Sequence, residues 1–430
     1  MLRVRRPLTW RTPDLTRLDE ATVVLASILI VAVPPMWFLG LDQALWLAAG
    51  LVLGIGVIRL RGEDVGKSAA VWATFLGVMV VSGLLGAEGF RWITFARNLL
   101  ITGTFVLAML SVAMLARRVD NLSPLFIALA IFATVNAILS LLPLVTGATF
   151  NFETPIAGLV PEEIASTGLG QASLTSRGLA DPSYFGGEQF IRPRGLFLFS
   201  TSDALAMAVL APVLWVAANW QDAELRFWLR LAALAALFAL VATTTRSAII
   251  AATVAIVVAW TFSHFSWRGI GVLADGGLLV LNGILFSGIA ERVIDLLTSR
   301  SGDVRSGLYE ATIQGWLERP LLGWGTERSW IPGIPLGSHT WYLGILFEQG
   351  VIGLIVVFAG LALLLQAARW LWRGRPADRA LVAAMAAGLI VALTEGLWLD
   401  PATSLIVAIA FGLVLGLGWE GRTEHPVAVR

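Results

Sequence analysis

Five side chains stand out in a chain that carries little charge: Arg97, Arg192, Arg194, Arg246 and His339. Each falls near the end of an apolar run, or in a loop beside one. A charge at a bilayer centre costs about 2.5–3.5 kcal/mol on insertion scales. An arginine kept at such a depth needs a partner or a route to the headgroups. Its planar fork grips phosphate oxygens bidentately and stays charged at any biological pH. Two or three of them at one interface would suit the diphosphate of a lipid-linked donor. A neutral histidine beside them could take a proton from an attacking hydroxyl, and neighbouring positive charge favours that neutral form. Plainer readings stay open. Each arginine alone could snorkel to headgroups, which fits Arg246 least because it sits in a tight turn. His339 could be interfacial packing. The other histidines, His264 and His425, fall in an expected cytoplasmic loop and in the C-terminal tail.

Long apolar segments must position these groups. Of 430 residues, 57% are hydrophobic and 14% charged, against about 25% charged in a soluble domain. Runs near 21–40, 43–59, 69–87, 95–116, 122–146, 196–218, 227–245, 247–262, 270–289, 339–366, 380–398 and 402–419 predict about twelve transmembrane helices. The fold class is therefore all-α, a polytopic integral membrane protein, read as one transmembrane domain over residues 1–430. The pair 227–262 would reach about 54 Å as one helix, too long for a single crossing. A turn is expected at Thr243-Thr244-Thr245-Arg246-Ser247. The basic N-terminus leads into a full-length apolar run with no clear small-residue cleavage site, so the first run reads as a retained helix.

Arginine and lysine gather in alternate short loops: Arg59, Arg61 and Lys67; Arg117 and Arg118; Arg226; Arg268; Arg369, Arg373, Arg375 and Arg379. By the positive-inside rule these are cytoplasmic, as are both termini. Two long loops, 147–195 and 290–338, then fall outside, on the same side as all five candidate residues. The first is rich in Gly, Pro, Ser and Glu and reads as irregular. The second holds Ser301 to Glu318, expected to form a short partly amphipathic helix on the membrane surface. Glycine pairs such as Gly50/Gly54 and Gly412/Gly416 would let helices approach closely.

Other chemistry is narrowed or excluded. Without cysteine there is no disulfide, thiolate site or cysteine nucleophile. A net charge of +1 implies no nucleic-acid partner. No paired-aspartate arrangement could hold a divalent metal against a diphosphate, so no cofactor is expected. Glu162-Glu163 reads as a solvated pair. Asp203, Glu348 and Glu395 read as structural partners, with arginines as candidate counterparts. Glu348 would lie about 13 Å beyond His339 along one helix.

The stretch from Arg305 carries a further pattern. It runs Trp316-Leu-Glu-Arg-Pro320-Leu-Leu-Gly323-Trp-Gly325, then Ser338-His339-Thr340-Trp341-Tyr342-Leu343, then Glu348-Gln-Gly350-Val-Ile-Gly353-Leu354. As an ordered set it resembles the O-antigen ligase and O-antigen polymerase superfamily of bacterial membrane glycosyltransferases. That family has an arginine-led helix, a P-L-L-G-x-G turn, a histidine followed by x-x-Y-L, and E-x-G-x-x-G. Arg192-Pro193-Arg194-Gly195-Leu196-Phe197 resembles its R-x-x-G-x-F segment, and Thr245-Arg246-Ser247 its S-R-[GS] turn. Thr340 and Thr245 depart from the usual residues yet keep a hydrogen-bonding side chain.

The resemblance implies a GT-C-like fold in the bacterial inner membrane, with the active site facing the periplasm. It implies inverting, metal-independent transfer of a glycan from an undecaprenyl-diphosphate carrier to an acceptor hydroxyl. The acceptor could be a growing glycan, lipid A–core of lipopolysaccharide, or a protein. By position, Arg194 and Arg246 would bind the donor diphosphate and His339 would act as base. Arg192, Arg305 and Arg319 would be further diphosphate candidates. Arg97 is a candidate by its depth alone. The rivals are a secondary transporter, whose ionisable residues belong near the midplane, and a non-catalytic component of a polysaccharide export system.

Overall fold

The computed structural model describes residues 13–59, 66–86, 89, 91–118, 122–162, 174–185, 188–263, 301–331, 334–337, 340–373, 381–394 and 400–424. Among them are α1 (Pro13–Leu39), α2 (Asp42–Arg59), α3 (Gly66–Gly86), α4 (Arg91–Arg118), α5 (Ser123–Thr146), α6 (Ser200–Ala218) and α7 (Ala223–Ala242). There follow α8 (Arg246–Ser263), α9 (Ser301–Glu318), α10 (Trp341–Arg373), α11 (Leu381–Thr394) and α12 (Pro401–Glu424). All but α9 coincide with an apolar run expected from the sequence. The run at 270–289 lies outside the described residues. Eight of the described helices are long and apolar enough to cross a membrane. The protein is a predominantly helical, multi-pass membrane protein.

The interior is built around α4, α6 and α12, the most buried of these helices. Their small residues explain the close packing. A Cβ on Gly412 or Gly416 would meet the Met109 or Ala113 carbonyl of α4, and one on Gly50 of α2 would meet Thr104. The glycine pairs thus set α2 and α12 against α4, where backbone approach replaces side-chain filling.

Helices α7 and α8 are separate, as the length argument requires. The turn between them holds Thr244 at φ 54°, a left-handed conformation rare for a β-branched residue. Hydroxyls lace it: Thr243 Oγ1 donates to the Leu240 carbonyl (2.8 Å) and lies 3.0 Å from Thr245 Oγ1.

The loop 147–195 is more ordered than its composition suggests. Strands β1 (Phe152–Glu153) and β2 (Ser176–Arg177) pair antiparallel, as do β3 (Ala180–Phe185) and β4 (Glu188–Pro193). The second loop adds β5 (Ser329–Ile331) and β6 (Ile334–Pro335). The described parts of both loops sit at one end of the bundle, with the α1–α2 and α7–α8 turns and the start of α12.

Helix α10 is not straight. At Gly350 the backbone takes φ 66°, ψ −169°, a region open essentially to glycine. Tyr342 and Phe358 would stand about 24 Å apart on a straight helix, yet their rings stack at 5.7 Å. A Cβ on Gly353 would come within 3.4 Å of Ile345. The residues before and after Gly350 therefore form two arms folded side by side, a helical hairpin with its tip at Gly350. Trp341, the first residue of the short arm, packs against Phe105 (6.3 Å between centroids). Residue 341 is thus carried down beside the interior of α4, away from the bundle end where a straight span would begin.

Candidate active site

The hairpin tip explains two glycine motifs at once. Breaking a helix orphans carbonyls on one side and N–H groups on the other, and buried orphans are costly. The Pro320–Gly325 turn supplies both sets of partners. Trp324 and Gly325 N–H donate to the Phe347 and Glu348 carbonyls (2.9 and 2.7 Å). Val351 and Ile352 N–H donate to the Pro320 and Leu321 carbonyls (2.9 and 3.3 Å). Gly323 and Gly325 take positive φ, and a Cβ on either, or on Gly350, would strike backbone within 2.5 Å. P-L-L-G-x-G and E-x-G are two halves of one backbone lock.

That lock holds the short arm, which begins two residues after His339. His339 itself lies outside the described residues. Thr340 Oγ1 accepts from Leu343 N–H (3.0 Å), capping the arm's first turn. The hydroxyl at this position is used by the helix start.

The first loop brings its arginines to the same end, each by a different contact. Arg192, on β4, reaches the α7–α8 turn: Nε donates to the Thr243 carbonyl (3.1 Å) and Nη2 to Thr245 Oγ1 (2.8 Å). It therefore sits one residue from Arg246, which opens α8. Arg194 turns the other way, with Nε donating to the Gly178 carbonyl (2.7 Å) and Nη1 to the Leu198 carbonyl (3.1 Å). Asp181 pairs with Arg194 at 3.0 Å. Burial lowers the Arg194 pKa; Asp181 opposes that shift and Arg177 adds to it.

Arg177, absent from the sequence candidates, forms a buried ion pair with Asp42 at the start of α2, the two side chains 2% and 1% exposed. Nothing in its local sequence marks it. Asp181, Glu327 and Asp400 were also missed, because they acquire their roles only through tertiary contacts.

Arg97, nearly two turns into α4, acts electrostatically on Glu327 and Asp400. Burial raises the Glu327 pKa and Arg97 opposes this. Burial pushes Asp400 up to about 6, helped by Asp42 and opposed by the Ala402 and Leu198 N–H groups and by Arg97. The Leu198 N–H···Oδ2 contact (3.4 Å) ties the Arg194 segment to the start of α12. Arg97, Arg192, Arg194 and the turn before Arg246 thus gather at one end of the bundle.

The second-loop arginines stand apart. Arg305 falls in the first turns of α9, and only its backbone is described. Arg319 follows the other end of that helix, about 20 Å away along the axis, and lies over the Trp324 ring at 4.2 Å, as Arg328 does at 3.5 Å. Arg305 and Arg319 therefore lie at opposite ends of α9. Asp203 partners Asn136 and Ser140 rather than an arginine, and Glu348 partners Gln349. Glu395 lies outside the described residues.

Residues 231–358 match the family described as O-Antigen ligase. That segment is similar to the O-antigen ligase family. The match covers the Thr245-Arg246-Ser247 turn, α9, the Pro320–Gly325 turn and the hairpin through its tip. It therefore bears out the superfamily resemblance over most of its motifs. The arginines of the first loop and Arg97 lie before the O-antigen ligase segment and are joined to it only by the contacts above. No curated protein matches the chain.

Proposed function

We propose that this membrane protein of the O-antigen ligase/polymerase superfamily transfers a glycan from an undecaprenyl-diphosphate-linked donor to an acceptor hydroxyl, with inversion and without a metal. The observation that carries the reading is the bond from Arg192 to Thr245. It joins the arginine-rich first loop to the family's own turn, directly before Arg246. In this reading the acceptor oxygen attacks the anomeric carbon as the bond to the diphosphate oxygen breaks. His339 takes the hydroxyl proton. The diphosphate leaves with the electron pair, its charge met by Arg246 and Arg194, with Arg192 and Arg97 adding to the field. Positioning and charge account for most of the rate.

The cationic end faces the periplasm in this reading, with both termini cytoplasmic and the donor held in the outer leaflet of the inner membrane. The acceptor is a glycan or lipid A–core. A transporter would gather its ionisable groups near the midplane, whereas here they cluster at one end.

The test is purified protein in vesicles with a polyprenyl-diphosphate glycan donor and a hydroxyl acceptor. Transfer is expected from the unaltered protein and its loss from His339→Ala. Arg246→Lys, which removes the bidentate fork, is expected to cut transfer at least tenfold. Full transfer by the His339→Ala protein overturns the base assignment. Unchanged transfer by Arg246→Lys returns that arginine to headgroup snorkelling.

A further inference from the structure

We infer that Asn136 and Asp203, two buried residues outside the matched segment, are positioning residues that set the Arg192–Arg194 segment for donor binding; this rests on the function proposed above. Asn136 on α5 and Asp203 on α6 are each completely buried. Asn136 Oδ1 accepts from Leu196 N–H (2.8 Å), and its Nδ2 donates to Asp203 Oδ1 (2.7 Å). Ser140 Oγ, one turn along α5, donates to Asp203 Oδ2 (3.4 Å).

The chemistry fixes the amide's direction. Leu196 N–H can only donate, so Asn136 Oδ1 must face it, which leaves Nδ2 for Asp203 Oδ1. The relay reaches the backbone two residues after Arg194, where the chain turns into α6. Gly195 makes that approach possible, at φ 51° with Asn136 Oδ1 within 2.2 Å of where a Cβ would stand. The glycine of R-x-x-G-x-F is thus a docking point for an asparagine on another helix. Pinned there, the backbone sends Arg192 to the α7–α8 turn and Arg194 to Gly178 and Leu198. Slippage at Leu196 would move both guanidinium groups.

Polarity makes the relay testable. Asp203→Asn keeps an acceptor for Asn136 Nδ2. Asn136→Asp keeps the acceptor for Leu196 but sets a carboxylate against Asp203. In the double variant Asn136→Asp/Asp203→Asn, the new amide donates to the new carboxylate and complementarity returns. Two readouts are taken on protein that remains folded in detergent. One is hydrogen exchange of the 192–198 backbone; the other is donor and acceptor KM in the vesicle assay. Asn136→Asp is expected to speed exchange at 192–198 and raise donor KM at least fivefold, with acceptor KM unchanged. Asp203→Asn is expected to shift both readouts in the same direction but by less than Asn136→Asp, and the double variant to recover both. Unchanged exchange in Asn136→Asp overturns the inference. So does a double variant no better than Asn136→Asp. Absence of transfer in the parent protein would instead overturn the proposed function and leave the exchange result to decide the relay.

Discussion

The two long loops reach the same end of the bundle and are held there by opposite means. The first is held by side chains: Arg177 on Asp42, Arg192 on the threonine turn, Arg194 on two carbonyls and Asp181, Asn136 on Leu196. The second is held by backbone, through four N–H···O=C bonds between the Pro320–Gly325 turn and the hairpin tip. The first arrangement depends on which polar groups are present. The second depends on which side chains are absent. A polar clamp fixes charged groups by their own hydrogen bonds, while a backbone lock fixes a path whatever the neighbouring side chains.

The sharpest break of this comparison is removal of the buried arginine. Arg177→Met leaves Asp42 buried and unpaired and should cost about 3–5 kcal/mol, read as a lower thermal midpoint in detergent. Arg319→Ala in the second loop, where the arginine is exposed and stacked on Trp324, should barely move it. Similar losses from the two variants would erase the distinction. Next come the glycines. Gly350→Ala forces a Cβ toward the Leu321 backbone in a region open to glycine alone, costing about 2–4 kcal/mol. Gly178→Ala, whose Cβ would first meet the ends of the Asn151 and Arg194 side chains rather than backbone, should cost far less. An equal penalty would mean the first loop is also backbone-determined. Smaller again is Arg192→Lys, whose point-like ammonium lacks the planar fork that spans Thr243 and Thr245. The loss of one charged hydrogen bond is worth about 1.5–3 kcal/mol. Unchanged stability would show that this bridge does not hold the turn.

How far the sequence revealed these features follows from their physics. Apolar length announces a helix, so every described helix but α9 was legible as an apolar run. The 243–247 turn followed from reach alone. The hairpin was hidden because residues 339–366 read as one predominantly apolar run despite Glu348 and Gln349, and hydropathy carries no direction. Its trace was Gly350, a glycine between two apolar stretches, visible only as part of a motif. Arg192 and Arg194 were found by their place before a span, yet their partners are carbonyls and a threonine, which no residue pattern announces. Arg177 and Asp42 are 135 positions apart in sequence, and nothing local marks a long-range pair.

Asp400 is where the two arrangements meet, and it yields the smallest expected effect. It accepts from Leu198, just after the first loop, and feels Arg97, which also acts on Glu327 in the second. Burial holds its pKa at about 6, against 3.8 ordinarily. Between these values the folded protein binds more protons at this site than the unfolded chain, so stability contributed here falls as pH rises through the window. Thermal midpoints of the parent protein should therefore gain, as pH drops from about 6 to about 4, relative to Asp400→Asn. The variant lacks the titration and also one of two acceptor oxygens, since Oδ1 serves Ala402 and Oδ2 serves Leu198. Its midpoint should start lower and run flatter. Parallel profiles would mean that the Ala402 and Leu198 N–H groups and Arg97 fully offset the burial. The junction between the two loops would then carry no pH-dependent strain.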